Sequence, residues 1–266
     1  MSPAPIRHDD GFTLMELIAV MAILAILSAV LAPSLIDAVD DAYAAAETDN
    51  LAQLADDLER YIRDTGIVPG RAVASWSAAI ATTSSRAALA VQQNERGYTR
   101  SVYFDPAFVS ASGGFDGYTQ SSGLTAAPAS PRFMVISSLS ANVGVQANDT
   151  AVFNAIWDRD AGAAIVESDR LKIERRHVGG LFHRVLLINQ LTSQVAYALN
   201  GSAQLAVPAA STGVDGLLSR YVIDGSELAL YSGPYPTGAL ASAALVNADL
   251  SVRYESTGSA FEWVRP

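Results

Sequence analysis

Glu16 is the most exceptional ionisable residue of this sequence, because it stands inside an apolar run. Across residues 12–32, 21 positions in all, the only other polar members are Thr13 and Ser28. A carboxylate in such a run costs about 2.5–3.5 kcal/mol at mid-bilayer and less near the interface, so it either has a partner or sits at headgroup level. No Arg or Lys follows it before Arg60. A cut after Gly11 would give Phe12 a free amino group, and a neighbouring copy could bring that amine to Glu16.

Other residue types that could do chemistry give weaker patterns. His8 lies near the start, while His177 and His183 stand on either side of Gly179-Gly180, where a hairpin would bring them together. Arg170, Lys172, Arg175, Arg176 and Arg184 surround that pair and would repel a cation. The cluster reads instead as a basic patch on a solvated sheet face, balanced by Glu167, Asp169 and Glu174. Asp158-Arg159-Asp160-Ala161-Gly162 places two acids at alternate positions before a glycine, but lacks the third oxygen ligand and later glutamate of a calcium loop. These acids read as turn formers. Neither a Gly-x-Ser-x-Gly elbow nor a phosphate-cradling glycine loop can be written onto the chain. With no cysteine, it has no disulfide framework, thiolate metal site or thiol nucleophile. No catalytic residue, cofactor or metal is expected, and the chain reads as a non-enzyme.

The formal charge of −10, from 17 basic and 27 acidic residues, argues against a protein that wraps nucleic acid by neutralising phosphates. A length of 266 residues accommodates one long element and one domain.

As a helix, residues 12–32 rise roughly 30 Å, one bilayer crossing. A cleaved secretory signal would have a shorter apolar core. Its best cleavage site, Val30-Leu31-Ala32, is followed by an unfavourable Pro33. A plain signal anchor accounts for the apolar length but not for Glu16. The series Gly11-Phe12-Thr13-Leu14-Met15-Glu16-Leu17-Ile18, continued by Met21-Ala22-Ile23-Leu24-Ala25-Ile26-Leu27, resembles the prepilin signature of type IV pilins and type II secretion pseudopilins. The resemblance implies that a prepilin peptidase cuts between Gly11 and Phe12 and methylates the Phe12 amine. It also implies that Glu16 pairs with a neighbour's N-terminus as subunits leave membrane lipid for a helical filament.

Partners on this view are other pilin or pseudopilin subunits, the peptidase and an inner-membrane assembly platform. The chain would be single-pass, with a cytoplasmic N-terminus before cleavage and a periplasmic domain. Two features depart from the commonest pattern. The leader offsets Arg7 with Asp9 and Asp10, and Ala25 stands where the family often has glycine. Pro33 falls where many pilins carry a proline; its ring opposes the helix at that point, and a helix break or kink is expected there. Removing the 11-residue leader leaves 255 residues with 16 basic and 25 acidic side chains, a charge of −9. That size favours a minor pilin or pseudopilin over the major repeat, and Glu16 argues against the tip subunit that characteristically lacks it. The rival is a membrane-tethered periplasmic enzyme or binding domain with an ordinary anchor.

Beyond Pro33 the pattern becomes amphipathic. Leu51, Leu54, Ala55, Leu58, Tyr61 and Ile62 share one helical face, and Gly66 with Pro69 ends the helix. Expected further on are a broken helix over residues 71–96, interrupted at 82–85 and burying Trp76, Ile80, Leu89 and Val91, and a long surface loop over 110–131. A strand over 132–139 and a helix over 150–157 capped by Asp149 follow. Paired strands are then expected around Gly179-Gly180 and Asp224-Gly225, with further strands at 194–199, 250–255 and 260–264. The expected class is α+β and pilin-like: a long N-terminal helix, transmembrane then amphipathic, packed on a mainly antiparallel sheet. Its divisions are a leader (1–11), a transmembrane or fibre-core helix (12–32), an amphipathic helix (33–66) and a globular domain (67–266).

Overall fold

The computed structural model describes residues 13–108, 115–143, 149–158, 171–256 and 261–265. The chain divides into two compact units, one ending at Ala46 and one running from Glu47. The long helix α1 (Leu14–Thr65) contributes to both. Within the first unit nearly every described residue of α1 is exposed, including the whole apolar stretch from Leu14 to Leu31. Within the second, Leu51, Leu54, Leu58 and Ile62 are fully buried, each worth roughly 1.5–3 kcal/mol of transfer free energy. Gly66 ends the helix at φ +65°, a conformation that costs glycine nothing, and its N–H donates to the Ile62 carbonyl at 2.9 Å.

After α1 come β1 (Ile67–Val68), α2 (Val73–Ser84), α3 (Ala88–Gln92), β2 (Ser101–Phe104), β3 (Tyr118–Thr119), β4 (Arg132–Ser138), α4 (Thr150–Trp157) and β5 (Leu171–His177). Then follow β6 (Phe182–Asn189), β7 (Val195–Leu199), β8 (Leu205–Val207), β9 (Gly216–Ile223), β10 (Ser226–Ser232), β11 (Ala239–Val246), β12 (Leu250–Ser256) and β13 (Phe261–Val264). The class is α+β: a long apolar N-terminal helix followed by mostly antiparallel sheets. One pair, β6 with β12, is parallel.

The strands form three larger sheets, in the orders β2-β4-β5, β11-β10-β7-β8 and β13-β12-β6-β9, and the short pair β1-β3. β4 is buried on both faces, so its Phe-Met-Val-Ile run is continuously apolar. Phe133 and Val135 join α1 residues Leu51 to Ile62 and Trp76 in one cluster. Met134 and Ile136 meet Phe153 and Ile156 of α4 in another. The two four-stranded sheets share a third core of Val185, Leu187, Tyr197, Leu228, Val252 and Tyr254, and therefore face each other.

Several expectations are corrected. Neither expected hairpin forms: β5 pairs with β4 and β6 with β9 and β12, so Gly179–Leu181 is a single 3-10 turn that carries the chain between sheets. Leu181 and Phe182 enter the α1 core at that crossing. Asp224-Gly225 likewise separates β9 from β10, which lie in different sheets. Its backbone N–H groups donate to Leu181 O at 2.6 Å and Val246 O at 2.9 Å. α2 runs on to Ser84, and Thr82, Thr83 and Ser84 place their hydroxyls within it by donating to carbonyls four residues earlier. Trp76, Ile80 and Val91 are buried, whereas Leu89 is exposed. The segment expected as a surface loop contributes β3, and Phe115 and Gln120 are buried. Asp149 does cap α4, its Oδ1 accepting from the Val152 N–H at 2.8 Å.

Candidate processing and assembly site

Thr13 immediately precedes α1, which makes it the N-cap and Glu16 the third helical residue. Their side chains exchange hydrogen bonds. The Thr13 N–H and the Thr13 hydroxyl each donate to Glu16 Oε2 at 2.9 Å, and the Glu16 N–H donates to Thr13 Oγ1 at 3.3 Å. This is a capping box, in which two helix-end donors that have no partner in the helical ladder are satisfied reciprocally. Its signature, Thr-x-x-Glu ahead of an apolar run, is legible in Thr13-Leu14-Met15-Glu16. A sequence argument that asks only for a counter-charge passes over it. The carboxylate already has neutral donors within its own chain.

Beyond the box, the most apolar window of α1 has a mean hydropathy of 2.6, and none of the described residues covers it. By length and composition α1 is able to cross a membrane. It continues helically through Pro33, whose ring leaves the Ala29 carbonyl without its usual donor. The Ser34 hydroxyl donates to Leu31 O at 2.9 Å. Gly11 and Phe12 lie outside the described residues.

The remaining candidates are not brought together. His177 ends β5 and meets the Trp157 ring edge-on at 4.9 Å, while His183, on β6, stands 3.1 Å from Asp224 Oδ1. Asp224 also accepts from Arg63 Nε at 3.2 Å. Both arginines of β5 are engaged: Arg176 pairs with Glu174 and with Asp56, and Arg175 Nε donates to the Trp157 carbonyl at 2.9 Å. Of the acidic loop, only Asp158 is among the described residues, and it ends α4. His8, Arg159, Asp160, Glu167, Asp169 and Arg170 lie outside them.

Residues 6–32 match the family model described as the prokaryotic N-terminal methylation motif. The chain carries the prepilin-type signature of type IV pilins and pseudopilins. No curated protein and no solved structure matches it. The methylation motif covers the capping box and the exposed apolar stretch at the start of α1, so the segment with the unusual carboxylate is the segment the family model recognises. Motif and apolar helix together fit a single-pass protein anchored in the inner membrane. The motif supports a pilin- or pseudopilin-like structural subunit, and implies processing by prepilin peptidase and assembly with other pilin subunits.

Proposed function

We propose that this chain is a minor pilin or pseudopilin, cut between Gly11 and Phe12, methylated on the Phe12 amine and inserted into a filament through the helix that follows. The observation that carries the reading is the methylation motif lying over a helix whose apolar surface the described residues leave uncovered. Such a helix needs lipid before assembly and other helices after it.

Glu16 is the assembly residue in this account. Before assembly, Thr13 satisfies its carboxylate with neutral donors. The methylated Phe12 amine of a neighbour stays cationic and offers a charge-assisted hydrogen bond, roughly twice as strong as a neutral one. Assembly is therefore an exchange of partners at one carboxylate, and the cut at Gly11 creates the second partner. Residues 47–266 would then lie on the periplasmic side and on the filament exterior, where their acidic surface suits solubility.

Mass spectrometry of the protein purified from membranes tests the reading. The expected mature N-terminus is N-methylated Phe12. An intact Met1, or a terminus near Ala32, overturns the proposal in favour of a membrane-tethered domain with an ordinary anchor.

A further inference from the structure

Strand β11 is an edge strand, and it differs from every other sheet edge among the described residues. A sheet edge presents unpaired N–H and C=O groups that template pairing with another chain, and proteins blunt edges with charge, shortness or a covering segment. β5 carries Lys172, Glu174, Arg175 and Arg176; β8, β13 and β2 are three or four residues long; β9 is bridged by Leu124, which exchanges two 2.8 Å backbone hydrogen bonds with Tyr221. β11 has eight residues, Ala-Leu-Ala-Ser-Ala-Ala-Leu-Val, and no charge. All of its residues except Ala244 and Val246 are exposed. From Ser232 to Ala248 there is no Asp, Glu, Lys, Arg or His, in a chain whose formal charge is −10.

The register shows what this edge offers. Ala244 lies opposite Leu228 and Ser242 opposite Leu230, so these residues face the core between the sheets. A bulge at Ala241 then places Leu240 opposite Tyr231, on the outer side with Ala243 and Leu245. Leu240 and Leu245 thus stand on one face, 62% and 63% exposed. Beside the strand a cleft of about 90 Å³ opens between the sheets, lined by Leu230, Ser242, Ala244, Val252, Trp263 and Arg265.

We propose that β11 is a self-association edge, which pairs antiparallel with β11 of a second copy of this chain across a two-fold axis. The charge pattern selects a second copy. Two chains of like charge approach at least cost along a strand that carries none, and the other long edge, β5, would oppose fixed charges. The antiparallel sense follows from the symmetry. A two-fold axis perpendicular to the sheet runs the two β11 strands antiparallel and keeps the outer faces of both sheets on one side, so Leu240 and Leu245 of both copies line the same surface. The pair sets Leu240 and Leu245 of each copy beside the side chains of the other strand and extends two four-stranded sheets into one continuous sheet, a β-augmentation in which main-chain hydrogen bonds supply the attraction. It requires neither cleavage at Gly11 nor the Glu16 carboxylate.

The absence of cysteine from the chain makes the test direct. Single cysteines are placed in the full-length protein at each position from Ala241 to Leu245, and membranes are treated with a mild oxidant. In a two-fold antiparallel pair only a residue at or beside the axis meets its own copy, so a disulfide-linked dimer is expected at one position, with yield falling on both sides. Val214→Cys and Leu217→Cys, exposed positions away from β11, are the controls and are expected to give none. Adding Leu240→Lys or Leu245→Lys should abolish the dimer without unfolding the chain, because both side chains already face solvent. Adding Glu16→Ala should leave it unchanged, which separates this edge from the assembly role of Glu16. No dimer at any β11 position, equal dimer at the controls, or a dimer indifferent to the lysines overturns the proposal.

Discussion

Arg100 is buried with only 3% of its side chain exposed, and it donates from Nε and Nη2 to the two oxygens of Glu47 at 2.7 Å each. Its Nη1 donates to the carbonyls of Ala90, Val91 and Gln93 around the end of α3. One guanidinium thereby ties α1 to the α3–β2 connection and leaves neither charge unpaired. Removing one member of such a pair strands the other in a dry site, at a cost of about 3–5 kcal/mol, whereas replacing both by apolar residues is often near neutral. Arg100→Met is expected to lower stability by that amount, and Glu47→Leu with Arg100→Met to recover most of it. Urea unfolding of the full chain in detergent, followed by the fluorescence of buried Trp76, measures both; equal losses in the single and double variants would mean that the packing, and not the charge, is what matters.

A second residue-scale outcome concerns Glu16. Gln serves in a capping box as Glu does, but it cannot form an ion pair with an amine. Glu16→Gln, like Glu16→Ala, should therefore keep membrane insertion and helix content yet fail to enter filaments. Normal incorporation of the Gln variant would show that the cap, not the charge, carries the role.

At the scale of elements, the parts of the fold legible in the sequence were those with local causes. α1 announces itself through its apolar stripe and Gly66; β4 contains a four-residue apolar run that is buried on both faces; α4 follows from an Asp149 cap that forms as its chemistry suggests. What escaped was set by distant partners. Gly179-Gly180 and Asp224-Gly225 have the composition of hairpin turns, yet each joins strands of different sheets, because Leu181, Phe182 and Ile223 all bury against the α1 cluster. β11 escapes a local reading because seven of its eight residues are Ala, Ser or Leu, weak strand formers whose conformation is imposed by pairing with β10. Similarly, the candidate site was legible as a motif, but the Thr13–Glu16 reciprocity depends on where the helix starts.

The turn difference has a measurable consequence. Gly180 has no positive φ and would meet nothing within 4 Å if it gained a Cβ, so Gly180→Ala should change stability by no more than about 0.5 kcal/mol. In a two-residue hairpin turn the same change would be strained. By contrast, a Cβ on Gly216 would lie 2.0 Å from the Pro208 carbonyl oxygen. That carbonyl is held by the buried Asn189 side chain, whose Nδ2 donates to it at 2.8 Å. Gly216→Ala should therefore cost roughly 1–3 kcal/mol, as overpacking does. Urea midpoints of the two variants check the contrast.

For the molecule as a whole, the alkaline limit of stability is set by tyrosines that folding removes from water. Burial pushes Tyr118 up to about 12 from an ordinary value of 10.0, and burial also raises Tyr103 and Tyr197. Tyr118 lies in β3, paired with β1 just beyond the end of α1, so its state reports on that joint. In the unfolded chain these phenols release their protons near pH 10. Between about pH 10 and pH 12 the unfolded state therefore binds fewer protons than the folded one, and stability falls as pH rises through this window. Below it the contribution is fully present. The acidic net charge acts in the same direction, since each tyrosinate adds to the self-repulsion of a chain already at −10. Urea midpoints should thus hold steady up to about pH 10 and then decline, and Tyr118→Phe should flatten part of that decline. Tyrosinate absorbance supplies an independent check: some of the ten tyrosines should ionise later in the folded chain than in denaturant. Coincident titration curves in the two states would mean that the phenols are hydrated in the fold, and the alkaline decline would then have to come from net charge alone.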